Sequence, residues 1–190
     1  MGINPWKKFT PFWLYALLAS SLLVMAASSE DRPVASRLLL IAFGLLSWSF
    51  GEYLMHRFAF HADYRRGSYG PIHALHLAHH DDPQGVDQLF VSFWMSAPVS
   101  IVYFSLGWII FSSWQIAAYL FFGVSVGYLS YEFLHYKAHH GDSHLRVLRY
   151  LKKYHLLHHG ETPNRRFGVT TPLFDCLFGT FESVSRRYHS

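Results

Sequence analysis

Long apolar stretches alternate with short polar segments along this chain. Two such stretches come first, residues 9–29 and 38–55, and only Glu52 interrupts the second with a charge. Each is long enough to cross the hydrocarbon core of a bilayer as a helix, which takes about 20 apolar residues. The alternative for the first stretch is a cleaved signal peptide, whose apolar part is usually about 7–15 residues. The greater length favours a retained membrane helix.

Residues 88–131 contain no Asp, Glu, Lys or Arg. One membrane helix does not need that length, so we expect two spans joined by a tight turn near Ser112 and Ser113. The spans are placed at residues 89–111 and 114–134, and glycines in the second permit close helix packing. The pattern therefore predicts an all-α integral membrane protein with four transmembrane helices.

The polar segments are predicted to be a mixture of loops and helices. Residues 62–75 include Gly67, Gly70 and Pro71, which favour a loop. Residues 144–154 place leucines on one helical face and Arg and Lys on the other. Two interpretations of that stretch remain open: a helix lying in the membrane interface, or an ordinary amphipathic helix packed on a soluble cap.

Composition and charge support one membrane domain over residues 1–190, with cytosolic parts at 56–88 and 135–190, where all the histidines lie. The chain is 51% hydrophobic and only 15% charged, whereas about 25% is usual for soluble domains. With four spans, all of the 16 Lys and Arg residues except Arg32 and Arg37 lie on the same side of the membrane as residues 56–88 and 135–190. The positive-inside rule assigns that side to the cytosol. It also explains the net charge of +4 without a nucleic-acid partner.

Histidine is the unusual residue, with 14 copies. Ten of them recur at short spacings in four clusters. On a helix, residues three and four apart share a face, so pairs within a cluster can bind one metal ion together. Ten imidazoles exceed one coordination sphere and suit two metals with five nitrogens each, although imidazole alone does not choose between iron, zinc, copper and nickel. The predicted ligands are His56, His61, His76, His79, His80, His135, His139, His155, His158 and His159.

Further polar residues are candidates for supporting roles. Glu52 and Glu132 precede histidines by four and three residues, and each is predicted to accept a proton from the distal ring nitrogen of a ligand. The alternative is a carboxylate capped by Arg or Lys at the membrane surface. His73 and His140 extend two clusters and are candidates for orienting a ligand. The candidates for binding a lipid head group are Arg146, Arg149, Lys152 and Lys153.

The motifs HRFAFH (56–61), HLAHH (76–80), HYKAH (135–139) and HLLHH (155–159), followed by FGVTTPLFDCLFGT (167–180), resemble the fatty acid hydroxylase superfamily, which includes sterol desaturases. They look most like the fatty acid 2-hydroxylases that act on sphingolipid acyl chains. The resemblance implies a di-iron centre that can hold zinc when isolated, four spans under a cytosolic helical cap, and the same ten histidines as ligands. It adds Asp175 of the closing motif as a supporting residue. Phe174 stands where the family pattern leads us to expect Trp.

The expected function is hydroxylation of a membrane lipid's acyl chain by a non-haem di-iron enzyme, using dioxygen and two electrons. Many eukaryotic relatives carry an N-terminal haem domain that delivers electrons, so a separate electron-donor protein is expected here. The compact form suggests a bacterial inner-membrane protein. One alternative is hydroxylation or desaturation of a sterol, carotenoid or other lipid. The non-enzyme alternative is a membrane protein that binds or transports metal.

Overall fold

Helices account for all the regular secondary structure in the computed structural model, which describes residues 5–61, 70–86 and 88–184. The helix α2 continues without a break into a π-helix, Met55–Phe60, and α5 follows α4 after a two-residue turn. The α-helices are α1 (Pro5–Ser28), α2 (Val34–Leu54), α3 (Pro71–Asp81), α4 (Phe93–Phe111), α5 (Trp114–His140), α6 (Arg146–Gly160) and α7 (Leu173–Leu177).

Within the described ranges, three helical segments are long and apolar enough to cross a membrane: Val34–Phe60, Phe93–Phe111 and Trp114–His140. They correspond to the second, third and fourth predicted spans. The first predicted span falls on α1, whose apolar stretch from Phe12 to Ser28 is shorter within the described residues. The predicted turn is confirmed, because Ser112 ends α4 in the left-handed conformation with φ of 49°.

Several helix boundaries differ from the predicted ones. The third span begins at Phe93 rather than at residue 89, because Ser92 is extended and precedes the first helical turn. The loop predicted over residues 62–75 does not extend that far, since α3 begins at Pro71. Proline suits the first turn of a helix, where its missing N–H would have no partner. Residues 62–69 lie outside the described part of the chain.

The chain forms two compact units, and the first comprises residues 1–48 and 90–130. Its core is aromatic. The ring of Tyr128 packs edge-on against Tyr15, with 5.1 Å between centroids, and against Trp48 at 5.5 Å. Phe121 and Ala19 complete this buried cluster.

Within this unit α2 and α5 cross at two glycines. A Cβ added at Gly44 would overlap the carbonyl oxygen of Leu120, and one added at Gly123 would overlap that of Ile41. Such close approach of two backbones is possible only where both helices lack a side chain, as in the small-residue contacts of membrane helices. A Cβ at Gly127 would collide with the Trp48 ring. The predicted packing role of the α5 glycines is therefore confirmed.

The second unit comprises residues 49–89 and 131–190. It contains the π-helix, α3, α6, α7 and the last turns of α5. Its interior is polar: among the described residues, buried side chains include seven of the ten clustered histidines together with Glu52, Glu132, Arg166 and Asp175. Burying polar groups costs free energy unless they have partners. This polar interior is therefore the candidate functional site.

Candidate metal centre

The structure gathers the ten clustered histidines into two groups of five. Within each group one ring nitrogen of every histidine lies within 4.8 Å of the corresponding nitrogen of the others. Group A consists of His56, His61, His76, His80 and His158. Group B consists of His79, His135, His139, His155 and His159. The groups are adjacent, since the rings of His80 and His159 stack with 4.0 Å between centroids.

Two helices each serve a single group. On α5, His135 and His139 are four residues apart, share a helical face and both belong to group B. His56 and His61 are five residues apart, which on an α-helix would place them about 140° apart. The π-helix removes that separation: the His61 N–H donates to the His56 carbonyl at 3.1 Å, and both imidazoles reach group A. π-Helical turns occur frequently at functional sites of proteins.

The other two helices each serve both groups. In the HLAHH motif of α3, the outer pair His76 and His80 belongs to group A, while the central His79 belongs to group B. The HLLHH motif of α6 does the reverse, with its outer pair in group B and His158 in group A. At about 100° per residue, the histidine four along lies about 40° to one side of the first and the histidine three along about 60° to the other side. One motif can therefore supply two neighbouring centres.

The spacing of the ring nitrogens tests whether a metal ion fits. In group A, Nε2 of His61 lies 3.0 Å from Nε2 of His158 and 2.9 Å from Nε2 of His76. In group B, Nε2 of His139 lies 3.2 Å from Nε2 of His79 and 3.0 Å from Nε2 of His155. Nitrogens at about 2.1 Å from one metal are about 3.0 Å apart in square-based or octahedral geometry and about 3.4 Å apart in a tetrahedron. The spacings of 2.9–3.2 Å between these ring nitrogens therefore fit ligands of a shared metal ion in each group.

Burial keeps these imidazoles neutral, as metal ligation requires. Burial is the main cause that lowers the pKa of His61 to about 3 and those of His79 and His80 to about 4. It also holds the pKa values of His155 and His158 well below the ordinary range. At His61, His79, His155 and His158 the neighbouring histidines add to this lowering of the pKa, because two imidazolium ions side by side would repel each other.

Two group A histidines have their tautomers fixed by backbone carbonyls. Nδ1 of His56 donates to the Phe167 carbonyl at 2.5 Å, and Nδ1 of His158 donates to the Arg165 carbonyl at 2.7 Å. Since a carbonyl only accepts, the proton of each neutral ring must lie on Nδ1. The lone pair of each Nε2 therefore points into group A. Both carbonyls belong to residues 165–171, which we call the α6–α7 loop.

Two buried carboxylates hold the α6–α7 loop. Glu52 Oε1 accepts the N–H groups of Val169 and Thr170 at 2.5 and 2.9 Å, and Oε2 accepts the Thr170 hydroxyl at 2.5 Å. Asp175 accepts the N–H groups of Phe167 and Gly168 at 2.9 and 2.8 Å. The bonds described for the Glu52 carboxylate go to the loop that carries the Phe167 carbonyl. Its predicted role as the direct acceptor of a proton from a ligand ring stays a prediction.

The remaining candidates lie outside both groups. His73 is buried, and its Nδ1 donates to the Phe60 carbonyl at 2.7 Å, at the end of the π-helix. His140 stacks on Tyr136, with 5.2 Å between ring centroids. Glu132 is buried one turn before His135 on α5. Its predicted role, like those of His73 and His140, stays a prediction.

The four basic residues of α6 differ in their surroundings. Arg146 and Arg149 are exposed. Lys152 pairs with Asp142 at 3.0 Å and donates to the Gly141 carbonyl at 2.6 Å, so it is already engaged. Lys153 is half-buried. Binding of a lipid head group by these residues stays a prediction, best supported for the two arginines.

Sequence reasoning missed the contribution of the main chain and of one cation. Arg166 is buried, has a left-handed backbone with φ of 60°, and pairs with Glu182 at 3.2 Å. It lies between the two residues whose carbonyls meet group A. The closing FGVT motif was a signal, because Gly168 fits only without a side chain: a Cβ there would overlap the Thr171 carbonyl oxygen.

Comparison with known proteins agrees with this geometry. The family model described as fatty acid hydroxylase matches residues 41–180, which include all ten histidines of groups A and B. A solved structure of full-length scs7p, in which only the hydroxylase domain is visible, superposes with a TM-score of 0.82 at 25% identity. The superposition covers 93% of this chain and 67% of the scs7p chain.

Two curated relatives are similar in sequence. A dihydroceramide fatty acyl 2-hydroxylase of Arabidopsis thaliana is 33% identical over 147 residues, covering 77% of this chain and 62% of the relative. A fatty acid 2-hydroxylase of Rattus norvegicus is 34% identical over 146 residues, covering 74% of this chain and 39% of the relative. The chain thus spans less than two thirds of the length of these relatives.

Proposed function

Because the chain belongs to the fatty acid hydroxylase family, we propose that it is a membrane-bound di-iron oxygenase that hydroxylates a lipid acyl chain. The observation that carries the proposal is the pair of buried five-histidine groups, A and B, side by side. The relatives are named a dihydroceramide fatty acyl 2-hydroxylase and a fatty acid 2-hydroxylase. These names favour an acyl chain as the substrate and its second carbon as the position that is hydroxylated.

In this proposal the ten histidines are the ligands of two iron ions, five to each ion. Bound iron would supply the activation of dioxygen. The neutral imidazoles add no negative charge, so the metals keep their full positive charge and oxidising character. The loop carbonyls of Arg165 and Phe167 hold two of the rings in the ligating tautomer, and burial of the histidines keeps bulk water out.

The overall reaction converts an acyl C–H bond, dioxygen, two electrons and two protons into an alcohol and one water. The electrons must come from outside the substrate, since the C–H bond alone gives up only the pair that forms the C–O bond. We therefore propose a separate electron-donor protein as a partner. The lipid is the second partner, with Arg146 and Arg149 as the candidates for contact with an anionic head group.

The proposed topology has four spans, with α1 added to the three apolar segments, in one domain over residues 1–190. The basic residues favour the cytosolic side of the membrane for groups A and B, and the membrane we propose is a bacterial inner membrane. Cys176, the only cysteine in the sequence, is exposed and offers a test. A membrane-impermeant maleimide should label it in inverted vesicles and not in right-side-out vesicles. A Cys176→Ser, Asp31→Cys variant should give the opposite pattern, and labelling of Cys176 from the outside would contradict the topology.

The function is tested by lipid mass spectrometry under labelled dioxygen. Cells that make the protein together with a competent electron donor should contain an acyl species heavier by one labelled oxygen atom. Cells with the His158→Ala variant should lack it. Loss of two hydrogens without oxygen would identify a desaturase instead. An unchanged lipid profile with a working donor would refute the proposal and favour a metal-binding or metal-transport role.

A further inference from the structure

Two imidazoles of group A are held by main-chain carbonyls of one short segment. The carbonyls of Arg165 and Phe167 are two residues apart on the α6–α7 loop, and they hold His158 and His56 respectively. Any movement of this loop would release two of the five imidazoles of group A together. What keeps the loop in place therefore decides how well group A is preorganised.

Asp175 is the residue at the centre of that support. It is completely buried, and its two carboxylate oxygens accept the N–H groups of Phe167 and Gly168 as well as the Thr180 hydroxyl, at 2.9, 2.8 and 2.7 Å. We propose that Asp175 is a positioning residue for group A alone: it holds the α6–α7 loop so that the Phe167 and Arg165 carbonyls orient the ligating nitrogens of His56 and His158.

A chain of hydrogen bonds leads to this buried carboxylate. Thr180 gives its one hydroxyl proton to Asp175, so it must accept from Tyr53, whose hydroxyl lies at 3.1 Å. The Tyr53 oxygen in turn accepts from Arg57 at 2.6 Å. Every donor in the chain points toward the carboxylate, and it begins at a cation. This direction leaves both Asp175 oxygens as acceptors for the loop N–H groups.

Group B is supported by other segments, and among the described residues none of its hydrogen bonds reaches the α6–α7 loop. The Nδ1 atoms of His79, His139 and His155 are buried and make no hydrogen bond within the described residues. Their ring orientations come from packing against one another, as in the edge-on contact of His139 and His155 at 5.0 Å. Loss of the Asp175 anchor should therefore weaken metal binding at group A and leave group B unaffected.

The inference rests on the proposed function only in taking the two groups as metal sites, so its test measures metal and not lipid. Two backgrounds isolate the groups: His155→Ala disables group B, and His158→Ala disables group A. Asp175→Asn is added to each, because Asn retains the shape but offers one acceptor oxygen and a donor that faces the loop N–H groups. Purified protein in detergent is titrated with Fe²⁺ under anaerobic conditions and, separately, with Zn²⁺.

Asp175→Asn should weaken metal binding about 10- to 100-fold in the His155→Ala background, the usual effect of losing an outer hydrogen-bond partner. It should leave the affinity unchanged in the His158→Ala background. The exposed Asp142 provides the control, and Asp142→Asn should change neither affinity. Equal weakening in both backgrounds, or none in either, would overturn the inference.

Thr180 provides a second route if Asp175→Asn fails to fold. Thr180→Val removes one donor to Asp175 at constant shape and should weaken group A severalfold, while Thr180→Ser keeps the hydroxyl and should restore the affinity. Failure of the Ser variant to restore it would count against the hydrogen-bond chain. A protein that binds two metals and oxidises no lipid would refute the proposed function and leave this test intact.

Discussion

The crossing of α2 and α5 at Gly44 and Gly123 allows a quantitative prediction of stability. In Gly123→Ala, the new methyl group would overlap the Ile41 carbonyl oxygen and lie 2.8 Å from the Leu45 nitrogen. Carbon contacts are normally about 3.5–4.0 Å. The obstacles are backbone atoms, which cannot turn aside as a flexible side chain can, so the two helices must move apart by about 1 Å or more.

Two opposing effects set the magnitude. Alanine gains about 1 kcal/mol over glycine in a helix interior, whereas overpacking costs about 1–3 kcal/mol, and backbone overlap belongs at the upper end. The expected net loss in the free energy of unfolding is roughly 1–2 kcal/mol. At about 2–4 °C per kcal/mol for a chain of this size, the melting temperature should fall by about 2–8 °C.

Gly107 is the matched control because it lies in α4, also in a helix interior. A Cβ added there would meet the Ala117 Cβ at 3.4 Å, close to ordinary contact. Gly107→Ala should therefore keep the gain in helix propensity and raise the melting temperature by about 2–4 °C. Thermal unfolding in detergent, followed by far-ultraviolet circular dichroism, compares the two variants. If Gly123→Ala melted at or above the temperature of Gly107→Ala, the steric argument would be wrong.

Three further predictions concern the second unit. Glu52→Gln leaves backbone donors of the α6–α7 loop poorly paired and should lower the free energy of unfolding by about 2–4 kcal/mol. The exposed control, Glu161→Gln, should leave the melting temperature almost unchanged in the same assay. His135→Ala and His158→Ala should each lower bound metal and abolish lipid hydroxylation while the protein stays in the membrane fraction, and full turnover with metal retained would contradict the ligand assignment. Burial lowers the pKa of His80 to about 4, so the unfolded chain, with histidine pKa near 6.5, binds protons first. Metal-free protein should therefore lose stability as the pH falls from about 6.5 to 4, and a melting temperature unchanged from pH 7.5 to 5 would contradict this.

Helical periodicity was enough to predict part of the site. The four-residue spacing of His135 and His139 placed both on one face of α5, and both lie in group B. The same rule failed for His56 and His61, whose five-residue spacing does not suit an α-helix. That mismatch was the signal for a π-turn, in which the His61 N–H donates to the His56 carbonyl.

The supporting contacts were beyond what sequence reasoning can reach. The groups that fix the rings of His56 and His158 are carbonyl oxygens, which every residue has, so the identities of Phe167 and Arg165 do not reveal them. The assignment of Glu52 to the loop likewise depends on a contact between positions 117 residues apart in sequence. Periodicity reports on neighbours along one helix and gives no information about such pairs.

The division of the HLAHH and HLLHH motifs between groups A and B has a thermodynamic consequence. Helices α3 and α6 each present nitrogens to both groups, so an ion that restrains them at one group also restrains the imidazoles of the other. The first ion to bind then bears the entropy cost of ordering these helices, and the second ion binds to helices that are already ordered. Occupation of the two groups should be cooperative, and the coupling must be the same in either order of binding.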